Sequence, residues 1–288
     1  MSDDANSIVS RIRPARGKVA TGGISLLVAL AMLAVVVVLV VVVPLLPTFN
    51  PMKQNLMLAL EPAFKDSRYI LGTDPLGRDL LSRLSVALRV SMLIAGGAVL
   101  ISVLVGVTIG LVSGWVRGPV DSLLMAVGNI QLSVPVVLLL IILVASLGSH
   151  PLLLVLLLGL TNWVSYGRVV RSQVVSLSER EFITAVTAAG GSGWWIMRKH
   201  LLPNVMPSVL ALATFDVGLI ITVESSLSFI GLGIQPPTPS LGLMINEGQR
   251  YLQTNQILTL FPALAIFLLI GGIQFALQGF GSRKPPLG

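Results

Sequence analysis

Long apolar runs almost free of charge recur along this chain, and each is long enough to cross a hydrocarbon core that needs about 20 residues of helix. They lie at about Ile24 to Val43, Val90 to Gly114, Ser122 to Leu147 with Pro135 inside it, Leu152 to Val170, Pro207 to Ile230 and Gln256 to Leu277. In lipid an open strand leaves backbone donors and acceptors unpaired, so helices are the economical reading despite the many β-branched residues. The expected fold is therefore all-α: a polytopic bundle of six transmembrane helices. The first run follows the basic stretch Arg11, Arg13, Arg16 and Lys18. Its apolar core is too long for a signal peptide and no small-residue cleavage site follows, so it reads as a retained anchor.

Composition agrees, with 54% hydrophobic and only 11% charged residues where a soluble domain carries about a quarter charged. The net charge of +7 is spread over short clusters between apolar runs, which favours anionic lipid or a protein partner and disfavours nucleic acid. Orientation follows from the same bases, because Lys and Arg near span ends favour the cytoplasm. Placing both termini inside puts most of the 19 bases on the inner side, including Arg117, Arg168, Arg171, Arg180, Arg198, Lys199, Arg283 and Lys284. The resulting organisation is a cytoplasmic segment 1–23, an anchor helix 24–43, an extracytoplasmic loop 44–89, a core of five spans over 90–277 and a cytoplasmic tail 278–288. The core carries a long inner loop, 171–204, and an outer loop, 231–255.

The loops have composition of their own. In Leu71 to Leu84, Gly72, Asp74, Pro75 and Gly77 are turn residues, and Asp79 and Arg83 are spaced to pair on one helix face. In the inner loop, Ser178 to Glu181 has the form of a capping box, so a helix of about three turns is expected after Ser178. Phe182, Ala185, Val186 and Ala189 recur at helical spacing, and Gly190-Gly191 supplies a stop. Such a helix is too short to span, so its apolar stripe meets headgroups, its own bundle or a partner. The small residues Ala188, Ala189, Gly190, Gly191 and Gly193 allow another chain to come close. In the outer loop Pro236, Pro237 and Pro239 forbid a regular helix, and the segment reads as stiff and folded.

Asp216 and Glu224 are acids inside the fifth run and must face the bundle or water. Eight residues apart, they share one broad face, Glu224 beside Ser225 and Ser228. They either line a polar path or hold helices together by hydrogen bonds. The chain has no Cys, two distant His, no G-x-x-x-x-G-K-[ST] and no H-E-x-x-H, so neither a metal site, a nucleotide site nor a hydrolytic constellation is expected in it.

Leu71 to Ser91, Leu227 to Gly248 and Phe261 to Phe267 resemble segments of the permease subunits of bacterial ABC importers for dipeptides, oligopeptides and nickel. The inner loop resembles the importer signature Glu-Ala-Ala, then Gly, then Leu-Pro, which maps onto Thr184, Ala185, Val186, Gly190, Leu202 and Pro203. Thr184 and Val186 replace the usual Glu and second Ala, leaving Glu181, one turn earlier, as the acid at hand. The resemblance implies the type I importer permease fold in the bacterial inner membrane and a coupling helix within this loop, with Glu181, Ala188, Ala189, Gly191 and Ser192 around the signature. It also implies partners: a second, paralogous permease, two ATPase subunits that bind ATP and Mg, and an extracytoplasmic solute-binding protein. The chain itself would be non-catalytic and hold no cofactor. Short peptides are the expected cargo and a nickel chelate the runner-up. An ion-coupled secondary transporter using Asp216 and Glu224 is the reading of another class.

Overall fold

In the computed structural model, residues 18–281 are described, with side chains from 24 to 279. The basic residues Arg11, Arg13 and Arg16 and the pair Arg283-Lys284 fall outside them. The described chain is helical: α1 (Lys18–Val37), α2 (Leu80–Val116), α3 (Gly118–Leu132), α4 (Val136–Leu147), α5 (Pro151–Ser178), α6 (Glu181–Ala188), α7 (Gly193–Ile196), α8 (Leu202–Phe229), α9 (Leu241–Gln249) and α10 (Ile257–Gly281). Among the described residues, five helices are long and apolar enough to cross a membrane, and α3 with α4 makes a sixth candidate, bent by 82°. The bend falls at Pro135, where the missing N–H and the pre-proline restriction on Val134 interrupt the run that the sequence reads as one span.

Three helices outrun their apolar segments. The second starts at Leu80, the fourth continues to Ser178, and α7, a π-helical turn at Met197–Leu201 and α8 form one continuous helix from Gly193 to Phe229. The charged and polar residues between Arg168 and Ser178 therefore stand on a helix and not in a loop. Asn204 Nδ2 donates to the His200 carbonyl at 2.7 Å, giving this π turn, which precedes Pro203 and Pro207, a side-chain partner for its backbone.

The centre of the bundle is the pairing of α2 with α5. Gly106, Gly110 and Gly114 recur every four residues on α2 and put its backbone against α5. A Cβ on Gly106 would lie 2.5 Å from the Trp163 carbonyl oxygen, and one on Gly110 2.7 Å from that of Gly167. Gly159 of α5 reciprocates against Ile101, and Ser102 Oγ donates to its carbonyl at 2.8 Å. Lipid tails are as apolar as Leu, so it is this close packing and interhelical hydrogen bonding, rather than hydrophobic exclusion, that favours the pair. The anchor α1 joins through Gly271 and Gly272 of α10, which admit Met32 and Leu33. Where α1 passes into a π turn at Val38–Val42, Arg89 of α2 donates Nε to the Val40 carbonyl at 2.8 Å, with Nη2 bonded to the same oxygen.

One end of the bundle is closed by a buried ion cluster. Asp74 accepts from Arg78 Nε at 2.6 Å and pairs with Arg83, while Glu247 of α9 lies 2.9 Å from Arg83 and 3.6 Å from Arg78. Two acids and two bases thus join the loop after α1, the start of α2 and α9. The expected pair of Asp79 with Arg83 does not form. Asp79 instead caps α2, accepting from the Ser82 N–H at 2.9 Å, and burial pushes its carboxyl above the usual range. A local i,i+4 pairing loses to two carboxylates that are already desolvated beside Arg83. The outer loop is folded, as its prolines require, but beyond them Ser240 caps the regular helix α9.

Two measurements test this packing. Gly106→Ala overpacks the α2–α5 contact and is expected to cost about 1–3 kcal/mol, read as a lower unfolding midpoint in detergent. Gly96→Ala on the same helix meets nothing within 4 Å and should leave the midpoint unchanged. Arg83→Met takes one of two guanidiniums from Asp74, leaves Arg78 bonded to it, and should cost about 1.5–3 kcal/mol, the worth of a hydrogen bond to a charged group. Glu247→Gln should cost less, because its side chain is 27% exposed.

Candidate functional site

At the opposite end of the bundle the chain turns out of α5, makes the eight-residue helix α6 and returns through α7 into α8. The expected capping box is absent. Ser178 still belongs to α5, its Oγ donating to the Val174 carbonyl at 2.6 Å, and α6 starts after Arg180 with no side-chain cap. Continuation of α5 places Ser178 inside a helix, where the nearest acceptor for its hydroxyl is the carbonyl one turn back. The helix therefore has about two turns in place of three.

α6 stands clear of the bundle. Ile183 is 1% exposed and Val186 half-buried, whereas Glu181, Phe182, Thr184, Ala185, Thr187, Ala188 and Ala189 are exposed. Gly190 ends it in the left-handed region at φ 86°, with open space where a Cβ would project. Gly191 donates to the Val186 carbonyl at 3.1 Å, and Ser192 caps α7 by accepting from Trp195 N–H at 3.4 Å. Gly193 packs against Trp115 at the end of α2. Ile196 and Leu201 are fully buried, Leu202 is half-buried and Pro203 exposed, so the signature residues share one hairpin.

The hairpin is tied together by aromatic contacts that sequence reading did not single out. His200 lies edge-on to Trp195 at 5.0 Å and to Phe182 at 6.3 Å between ring centroids, joining α6, α7 and the π turn. Each had a visible apolar or basic character, but only the fold brings the three to one point. Beside them a cavity of about 450 Å³ separates α2 from the start of α8, lined by Val107, Leu111, Trp194, Met197 and Leu202 among others.

Asp216 and Glu224 lie elsewhere, inside the packing of α8. Asp216 is 3% exposed and accepts from Asn162 Nδ2 of α5 at 2.8 Å. Glu224 is 1% exposed and accepts from Ser91 Oγ of α2 at 2.9 Å and from Ser228 Oγ at 2.8 Å, with Ser225 Oγ at 3.5 Å. Ser228 Oγ also accepts from the Ile234 N–H at 3.1 Å and so fixes the loop that follows. Both acids join helices within this chain. Exposed polar groups stand on several helices, Thr108 on α2 and Thr222 and Ser226 on α8 among them; between α3 and α5, Arg168 Nη2 donates to Asn129 Oδ1 at 2.8 Å. One turn on, Arg171 grips Asp121 through two bonds of 2.5 and 2.6 Å.

A family model described as the inner membrane component of binding-protein-dependent transport systems matches residues 106–283, which hold the last turns of α2, all of α3 to α5, the hairpin and α8 to α10. The dipeptide transport system permease protein DppC of Lactococcus lactis subsp. cremoris is 39% identical over 216 residues, covering 75% of this chain and 62% of that protein. The oligopeptide transport system permease protein OppC of Escherichia coli is 38% identical over 227 residues, covering 79% of this chain and 74% of its own length. The nickel transport system permease protein NikC of Escherichia coli is 34% identical over 218 residues, covering 76% and 78%. With its membrane-spanning helices and its projecting hairpin, the chain belongs to the binding-protein-dependent transport system inner membrane components, as a multi-pass ABC permease similar to DppC and OppC.

Proposed function

We propose that this chain forms one half of the translocation pathway of an ATP-driven importer for short peptides, paired with a second, paralogous permease. The projecting helix α6, exposed on nearly every side and held by Ile183 alone among its fully buried residues, is the observation that carries the reading. A two-turn helix that leaves Phe182 and Ala185 exposed away from the bundle is accounted for by a protein that covers it. On this reading the α6 end is cytoplasmic and sits in a cleft of one of two ATPase subunits, which bind ATP and Mg and perform the hydrolysis. Ala185, Ala188, Ala189 and Gly190 give the close approach, and Glu181 is the acid available in place of the residue that Thr184 replaces. The opposite end, with the ion cluster and α9, meets the extracytoplasmic solute-binding protein.

Closure of the ATPase pair would draw two such hairpins together and turn the permease pair from inward-open to outward-open. The hairpin transmits that only if the two states of the bundle differ in affinity for the closed ATPases. The dipeptide and oligopeptide transport relatives support peptide cargo, and NikC keeps a nickel chelate as the second reading. Asp216 and Glu224, sealed between helices, support the pathway from behind by holding α8 against α5 and α2.

In proteoliposomes holding the full complex, alanyl-alanine uptake should require ATP and the binding protein and survive collapse of the ion gradients. Uptake that continues without ATP, or that this chain alone performs, would identify a secondary transporter instead. Gly190→Trp adds strain at a positive φ and bulk where the partner approaches, so the permease pair should insert normally while ATPase retention in mild detergent falls about tenfold, equivalent to 1.4 kcal/mol. Ser178→Ala, which removes no cap, should leave that retention unchanged. Normal retention with Gly190→Trp would place the docking surface elsewhere.

A further inference from the structure

α5 buries one side against α2 through Gly159, Tyr166, Val170 and Val174. Its other side carries Thr161, Ser165, Arg168 and Ser172 at the spacing i, i+4, i+7 and i+11, which is one line along a helix. All are exposed except half-buried Thr161, and exposed Asn129 of α3 meets this line at Arg168. The hydroxyls of Thr161 and Ser172 donate to carbonyls of their own helix, so they are tolerable in lipid.

The guanidinium of Arg168 is not. Asn129 takes one of its donors, and among the described residues it has no carboxylate partner, Asp121 being engaged by Arg171. Arg168 lies toward the inner end of α5's apolar run, where a cation without a carboxylate faces headgroups, a cavity or a partner.

Resting on the peptide-importer reading, we propose that the α3–α5 face is the aqueous wall of the pathway and that Arg168, steadied by Asn129, binds the carboxylate of the passing solute. The geometry suits an anion: a guanidinium presents planar paired donors that match a carboxylate, and Asn129 orients it without neutralising it. Dipeptides and longer peptides carry such a carboxylate at their C-terminus. The site carries a single charge, as a pathway needs if cargo is to leave it again.

Because the chain has no cysteine, introduced thiols report on this face without background. In the assembled, ATP-free transporter, Ser165→Cys should react with a charged, water-soluble methanethiosulfonate. Alanyl-alanine should slow that reaction, and alanyl-alanine amide, which lacks the carboxylate, should not. With Arg168→Gln added, shielding should need about tenfold more alanyl-alanine, the worth of one charged hydrogen bond. Arg168→Lys, which keeps the charge, should restore most of it. An unreactive Ser165→Cys, equal shielding by acid and amide, or shielding indifferent to Arg168→Gln would overturn the assignment. A wild-type complex that takes up no peptide with ATP, yet shows water access and carboxylate-selective shielding, would sink the peptide reading and leave Arg168 in place.

Discussion

The bundle depends on one close approach, that of the α2 and α5 backbones across Gly106, Gly110, Gly114 and Gly159. In water a chain this apolar would collapse in many ways, but in a bilayer burial of Leu against Leu gains little over Leu against lipid. What distinguishes one helix pairing from another is how near the helices can come and which polar groups they satisfy. The glycines decide the first and Ser102, bonded to the Gly159 carbonyl, adds to the second. Once α2 and α5 are fixed, polar contacts with them help to place α8, the anchor and α3. Glu224 takes α8 to Ser91, Asp216 takes it to Asn162, Arg89 reaches the anchor at Val40 and Asp121 holds α3 to Arg171.

The charged groups along the spans thus divide into two kinds. Asp216 and Glu224 are hidden, each answered by side chains of neighbouring helices, and removing them from view is how their desolvation is offset. Arg168 is displayed, with a single amide for company. Sequence alone draws attention to the acids, as lining a path or as packing groups, because they stand inside an apolar run. It hides Arg168, which stands at the frayed end of one.

That hiding has a physical origin. Hydropathy marks where a chain sits in lipid, not where a helix stops, and α2, α5 and the helix from Gly193 to Phe229 all continue past their apolar runs. The runs themselves, the stop at Gly190 and the stiff proline loop are local properties and are readable residue by residue. Partner choice is not local. Ser178 has a capping-box pattern around it, yet α5 reaches it first; Asp79 and Arg83 have the right spacing, yet Asp74 and Glu247 surround Arg83 in space. The contact from Arg83 to Glu247 joins segments far apart in sequence, and no spacing rule encodes it.

The continuous helix from Gly193 to Phe229 also bears on how motion at the hairpin reaches the far end. Its first turn is seated on Trp115 and on the His200 aromatic contacts, and its last carries Glu224 and Ser228. Ser228 holds the Ile234 N–H, and Asn246 of α9 donates to the Phe229 carbonyl at 2.7 Å. A displacement of α6 on the proposed reading therefore needs no relay of soft contacts. One rod carries it to the loop whose α9 is locked by Glu247 into the ion cluster, and the π turn at Met197–Leu201, with its interrupted hydrogen-bond ladder, is the place along that rod best suited to bend.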